Sequence, residues 1–152
     1  MGETTEREFC ITEVDGRILT VTINRPERMN ALHWMANEEL ATVFDEFAAD
    51  EELWVAIITG AGDRAFSAGN DLKYQAQEAG GEMKAGPATG FGGLTSRYDN
   101  TKPVIAAVNG HAMGGGFVLA LTADYRIMGC EKDARFGLTE ANAGIPFPAG
   151  PV

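Results

Sequence analysis

Between Lys102 and Asp124 the order of residue types leaves little choice of local structure. Val104 to Val108 is an unbroken apolar run bounded by turn residues, the pattern of a short strand buried on both faces. Asn109-Gly110 closes that strand in a turn. Gly114, Gly115 and Gly116 then open a second apolar run, Phe117 to Leu121, whose composition and spacing favour a helix. A strand that passes through glycines into a helix leaves bare backbone N–H groups at the positive end of a helix dipole, a place suited to a negative oxygen. Three adjacent glycines serve close packing of a helix on a sheet equally well, so on this stretch alone both uses stand. No GxGxxG occurs and no Lys-Ser/Thr pair follows the glycines, so a nucleotide phosphate is not the natural anion. An oxyanion formed during a reaction fits instead.

The rest of the chain alternates strands and helices. Phe9 to Val14 and Ile18 to Ile23 are β-rich and flank Asp15-Gly16, a two-residue hairpin signal. Arg25-Pro26 to Leu32 breaks the pattern, with Arg25 and Arg28 expected at the solvated surface. Trp34 to Ala49 has amphipathic spacing through Met35, Leu40, Val43, Phe44 and Phe47. Trp54 to Thr59 follows as a buried strand, which implies a parallel right-handed crossover. Asp71 is placed to cap a short helix over 72–78. Ser67 lies outside any GxSxG elbow and has no base beside it in sequence, so it is not read as a nucleophile. Residues 79–93, rich in Gly, Ala and Pro, read as a loop, mobile or ordered by ligand, and Phe91 to Tyr98 restores a helical turn. Tyr125 to Cys130 is another strand, Glu131 to Ala134 a turn, and Arg135 to Gly137 a brief extension. The tail from Leu138 carries one carboxylate, Glu140, among mostly apolar residues.

At 152 residues the chain is one domain's worth, of ordinary globular composition. With 12 basic against 22 acidic residues, its net charge of -10 argues against general binding to nucleic acid or to an anionic membrane. Cys10 and Cys130 form no CxxC and are expected reduced and buried, in the cytoplasm. His33 and His111 sit at no metal-ligand spacing and are read as structural or solvent-facing, with no metal expected.

Four stretches in register carry a resemblance: Arg25-Pro26 through Asn30-Ala31-Leu32, Ala65-Phe66-Ser67-Ala68-Gly69-Asn70-Asp71-Leu72, Asn109-Gly110-His111-Ala112-Met113-Gly114-Gly115-Gly116, and Phe136-Gly137-Leu138-Thr139-Glu140. They resemble the crotonase superfamily, the enoyl-CoA hydratases and isomerases. The resemblance implies an α/β fold, a crotonase-like spiral of ββα turns, and an acyl-CoA thioester as substrate, coenzyme A being part of the substrate rather than a cofactor. It implies that the thioester oxygen is held by the N–H groups of Asn70 and Gly115, and that the nucleotide end of CoA lies near Arg28, Ala31, Ala68 and Lys73. Family hydratases use two glutamates; here the second stands as Glu140, while Val118 occupies the position of the first and can exchange no proton. A single-glutamate proton shuttle, moving a double bond between the 3 and 2 positions of an enoyl-CoA, is therefore the first expectation. Hydration of a 2-enoyl-CoA and a non-catalytic CoA-binding or assembly module are the alternatives. Residues 1–152 would form a core domain lacking the family's C-terminal helices, with assembly into a trimer or hexamer implied by the same resemblance.

Overall fold

The computed structural model describes residues 2–77, 86–129, 134–140 and 144. Strands β1 (Glu3–Glu6), β2 (Cys10–Asp15) and β3 (Ile18–Ile23) form an antiparallel meander; the hairpin between β2 and β3 is there as expected, but its two-residue loop is Gly16-Arg17, because Asp15 still pairs with Ile18. Gly16 has φ +60°, which glycine adopts without a Cβ clash. A 3₁₀ turn (Pro26–Arg28) leads to helix α1 (Trp34–Ala49), where His33 Nδ1 accepts the Ala36 N–H at 3.1 Å as an N-cap. Leu40, Val43, Phe44 and Phe47 recur at helical spacing on one side of α1 and are fully buried. Each contributes about 1.5–3 kcal/mol of burial free energy.

The remaining chain repeats one unit. β4 (Val55–Gly60) is followed by β5 (Ala65–Ser67) and α2 (Leu72–Gln77); β6 (Val104–Val108) by β7 (His111–Met113) and α3 (Gly115–Thr122); β8 (Tyr125–Met128) by β9 (Phe136–Gly137). The first strand of each unit joins a parallel ladder that extends the meander, in the order β1-β2-β3-β4-β6-β8. The second strands form a small sheet of their own, β5-β7-β9, also parallel. Parallel pairing of like with like means that each unit lies one strand spacing, about 4.8 Å, above the last. The chain is a spiral of ββα turns.

Three expectations shift. Val104 to Val108 alternates buried and half-buried positions instead of being sealed on both faces, because α1 closes only one side of the sheet among the described residues. The expected buried strand over Trp54 to Thr59 is β4, which alternates in the same way, with Trp54 before it 59% accessible. Arg25 is buried rather than solvated, whereas Arg28 is exposed as expected. Cys10 is buried, but Cys130, residues 79–85 of the 79–93 loop and the tail beyond Glu140 (Gly144 excepted) lie outside the described residues. Among the described residues no helix is long and apolar enough to cross a membrane.

Candidate functional site

The spiral stacks the corners that follow β5, β7 and β9, and these corners bear Asn70, Gly115 and Glu140. Asn70 comes three residues after β5 ends, Gly115 two after β7, and Glu140 three after β9. Residues 45 and 25 positions apart in sequence are thereby brought into one column.

At the first corner, Leu32 pairs with Asn70 as a parallel bridge. The Leu32 N–H donates to the Gly69 carbonyl at 2.8 Å, and the Asp71 N–H donates to the Leu32 carbonyl at 3.0 Å. In such a bridge the intervening residue turns its own N–H away from the partner strand. Among the described residues the Asn70 N–H has no hydrogen-bond acceptor. Gly69, at φ +86°, lies so close to the next corner that a Cβ there would meet the Met113 carbonyl oxygen at 2.7 Å and the Gly115 nitrogen at 2.8 Å. The Asn70 corner and the Gly115 amide are in direct contact.

At the second corner α3 begins without a side-chain cap. The N–H groups of Phe117 and Val118 turn back to the Gly114 carbonyl at 3.0 and 3.1 Å, while that of Gly115 finds no acceptor among the described residues. Gly116 seats α3 on β5: a Cβ there would lie 2.2 Å from the Ser67 carbonyl oxygen. The glycine run thus serves both uses left open by the sequence, packing at Gly116 and a free donor at Gly115. The ring of Phe91 lies over Gly115, 2.9 Å from where its Cβ would be. Its loop is pinned by the Gly92 N–H donating to Asn37 Oδ1 on α1 at 2.7 Å.

The third corner brings the carboxylate. Ala112 and Gly114 of the second turn donate to the carbonyls of Arg135 and Gly137 at 3.0 and 2.8 Å, and the chain then rises to Glu140. Its Oε1 lies 3.0 Å from the position of a Gly114 Cβ, beside the start of α3. Its Oε2 is buried and, among the described residues, has no hydrogen-bond partner. A buried, unpartnered carboxylate oxygen opposes folding by roughly 1–3 kcal/mol or more, and is the kind of group that calls for a chemical use. Val118, on α3, is buried at 8% accessibility and supplies no second carboxylate.

The proposed CoA contacts fall on the outer side of the first corner. The Ala68 N–H donates to the Met29 carbonyl at 2.9 Å, which lays the 28–32 loop along residues 68–71. Ala31 and Ala68 are thereby neighbours on adjacent segments, and Arg28 and Lys73 are exposed cations at the ends of those segments. Met29 and Asn30 both take positive φ (55° and 54°), and the Asn30 side chain holds that bend by accepting the Arg25 N–H and donating to the carbonyls of Ala61 and Ala65.

Ser67 is structural: its hydroxyl donates to the Asn30 carbonyl at 2.8 Å and accepts the Gly69 N–H at 3.1 Å. His33 caps α1 as a neutral acceptor, its pKa lowered by burial and by the nearby Arg25 guanidinium. His111 Nδ1 accepts the Arg135 N–H at 3.0 Å. Among the described residues no group of three or more His, Cys, Asp or Glu side chains could hold a metal ion. Sequence reasoning missed the Arg25–Asp71 ion pair, whose partners are 3.0 Å apart. Burial and the Asp71 cap on the Tyr74 N–H were the only signals available, and of these only the cap was legible in advance.

Comparison with known proteins agrees with this architecture. A model for the family described as enoyl-CoA hydratase/isomerase matches residues 13–151. Carnitinyl-CoA dehydratase of Citrobacter koseri is 49% identical over 137 residues, covering 90% of this chain and 51% of the relative. The Escherichia coli K12 protein of the same name is 48% identical over 138 residues, covering 91% and 51%. Among solved structures, a carnitinyl-CoA dehydratase from Mycobacterium avium 104 superposes with a TM-score of 0.79 at 38% identity, covering 90% of this chain and 52% of that one. An enoyl-CoA hydratase from Mycobacterium marinum superposes with a TM-score of 0.80 at 36% identity, covering 93% and 53%. The chain spans about half the length of the relatives it matches.

Proposed function

The chain belongs to the enoyl-CoA hydratase/isomerase family and has its crotonase fold, and on that premise we propose that it removes water from, or adds water to, an acyl-CoA thioester at the C2–C3 bond. The observation that carries the reading is the column formed by the Asn70 and Gly115 amides and the Glu140 carboxylate, whose N–H groups and Oε2 have no hydrogen-bond partner among the described residues. The two N–H groups would accept the charge that builds on the thioester oxygen when C2 loses a proton. By comparison with other oxyanion holes each donor is worth about 2.7–4 kcal/mol of transition-state stabilisation.

One carboxylate suffices for the elimination. Glu140 takes the C2 proton, the C–H electron pair passes into an enolate held by the two amides, and the enolate closes to the C2=C3 double bond as the 3-hydroxyl departs. The proton on Glu140 goes to that leaving hydroxyl, so the products are a 2-enoyl-CoA and water and the carboxylate is regenerated. Hydration is the same path reversed. The relatives' names favour this over the double-bond migration first expected from the lone carboxylate. Arg28 and Lys73 would meet the phosphates of CoA, with the backbone of Ala31 and Ala68 flanking its adenine. A second reading, migration of a double bond from the 3 to the 2 position, is favoured by Val118, because no second acid is present there to hold a water molecule.

The test offers the purified protein carnitinyl-CoA, other 3-hydroxyacyl-CoA thioesters and 3-enoyl-CoA thioesters, with products read by mass spectrometry in ordinary and ¹⁸O-labelled water. Loss or gain of solvent oxygen is the expected result, and Glu140→Gln should slow it by ~10²–10⁴-fold, the usual worth of a positioned acid or base. Isomerised product without solvent oxygen supports the second reading. Tight CoA binding with no turnover of any thioester supports a binding module, and undiminished turnover in Glu140→Gln removes the role given to that residue.

A further inference from the structure

Arg25 and Asp71 are buried charges that the proposed chemistry does not use: their side chains are 10% and 5% accessible, and Arg25 Nη1 lies 3.0 Å from Asp71 Oδ2. The same guanidinium nitrogen donates to the Ala31 carbonyl. Ala31 immediately precedes Leu32, and Asp71 immediately follows Asn70, so one guanidinium ties together the two segments of the Leu32–Asn70 bridge. The other Asp71 oxygen, Oδ1, accepts the Tyr74 N–H at 3.0 Å and starts α2. Asp71 is therefore fixed from two directions, and the Gly69–Asn70 peptide, whose N–H is the free donor, is anchored through its carbonyl to the Leu32 N–H on the very segment that the guanidinium holds. The guanidinium is fixed in turn, with the Phe9 ring 5.9 Å from its carbon.

We propose that Arg25 and Asp71 are positioning residues, whose ion pair sets the direction of the Asn70 N–H toward the thioester oxygen. A donor aimed at an oxyanion works only if its direction is fixed before charge develops, and the Asn70 N–H takes its direction from the Leu32–Asn70 bridge, whose two segments the Arg25–Asp71 pair braces against each other. The proposal rests on the reading of Asn70 as an oxyanion donor.

The experiment measures the carbonyl stretch of [1-¹³C]butanoyl-CoA, a saturated thioester that cannot eliminate water, free and bound to the protein, by infrared difference spectroscopy. Bound to the unmodified protein, the stretch is expected to move to lower frequency, the signature of a carbonyl polarised by hydrogen bonds. Asp71→Asn keeps the helix cap but loses the ion pair; it should bind the thioester with near-normal affinity, show a much reduced red shift, and lower kcat by ~10–100-fold with little change in KM. The paired change Arg25→Gln/Asp71→Asn removes both charges and restores stability without restoring the ion pair, so it carries the test if the single variant does not fold. Recovery of melting temperature without recovery of the red shift supports positioning. Arg25→Lys, which keeps the charge, should fall between. A full red shift in a folded variant overturns the positioning role and leaves the oxyanion reading intact, whereas no red shift in the unmodified protein overturns the oxyanion reading itself.

Discussion

Replacing Gly114 by alanine separates the geometry of the carboxylate from that of the amide donors. Gly114 takes φ 53° and ψ -126°, a region in which a Cβ meets its own backbone. Strain of that kind costs roughly 1–3 kcal/mol. The added carbon would also stand 3.0 Å from Glu140 Oε1 and 3.5 Å from Thr139 Oγ1. The backbone is held by the Gly114 N–H bond to Gly137 at 2.8 Å, so the carboxylate must move instead, by a few tenths of an ångström. If a misplacement of about 1 Å costs ~100-fold, this smaller one lowers kcat by about fivefold. The expected result of Gly114→Ala is therefore a melting temperature lower by about 2–10 °C, a kcat reduced severalfold, and an undisturbed carbonyl red shift. Gly137→Ala is the control: among the described residues a Cβ there meets nothing within 4 Å, so its stability should stay within about 0.5 kcal/mol of the parent. Thermal melts, steady-state kinetics and the bound-carbonyl spectrum read all three quantities. A Gly114→Ala protein with parental stability and full turnover would show that the Glu140 carboxylate does not rest against the start of α3.

Two further outcomes follow from titratable groups away from the column. His33 has a folded-state pKa below its usual 6.5, through burial first and Arg25 second, so between those two values the unfolded chain binds a proton that the folded protein does not. Stability should be complete above pH 6.5 and fall as the pH drops toward the folded value; His33→Asn, which can still cap α1, should lack that part of the slope in urea titrations at pH 7.5 and 5.5. A slope unchanged in His33→Asn would refute this assignment. The Cys10 thiol is pushed up to about 12 by burial and by the neighbouring Glu39 carboxylate. In a Cys130→Ser background at pH 8 it should react with a thiol reagent only as denaturant unfolds the chain, and rapid labelling of the native protein would contradict its burial.

The legible parts of the fold were those that carry a period or a turn signature. Ile18 to Ile23 is a strand as its residue types require, its partner runs over Cys10–Asp15 and the loop over Gly16-Arg17, each one residue later than expected, and α1 runs over Trp34–Ala49 as its apolar spacing requires. β1 was missed because Glu3 to Glu6 is wholly polar and exposed, and is a strand only through its pairing with β2. β5, β7 and β9 were read as turns or a brief extension because two or three residues cannot show alternation; their partners 24 to 46 positions away define them. At the candidate site, the two glycine corners and Glu140 were recognisable by motif, and Val118 as a departure from it. Arg25 was not, since an arginine beside a proline looks like any solvated cation until Asp71, 46 positions on, is folded against it.

The small β5-β7-β9 sheet also bears on how the protein reaches its native state. Each of its pairings closes a long stretch of chain in return for only two residue pairs, so the entropy lost in closure is recovered only after the large sheet and α1 have already gathered the segments. The hairpin of β2 and β3, with its neighbouring partners, has no such handicap. The folding transition state should therefore contain the hairpin, α1 and β4 but not the column of corners, and substitutions at those corners should speed unfolding while leaving the folding rate almost untouched.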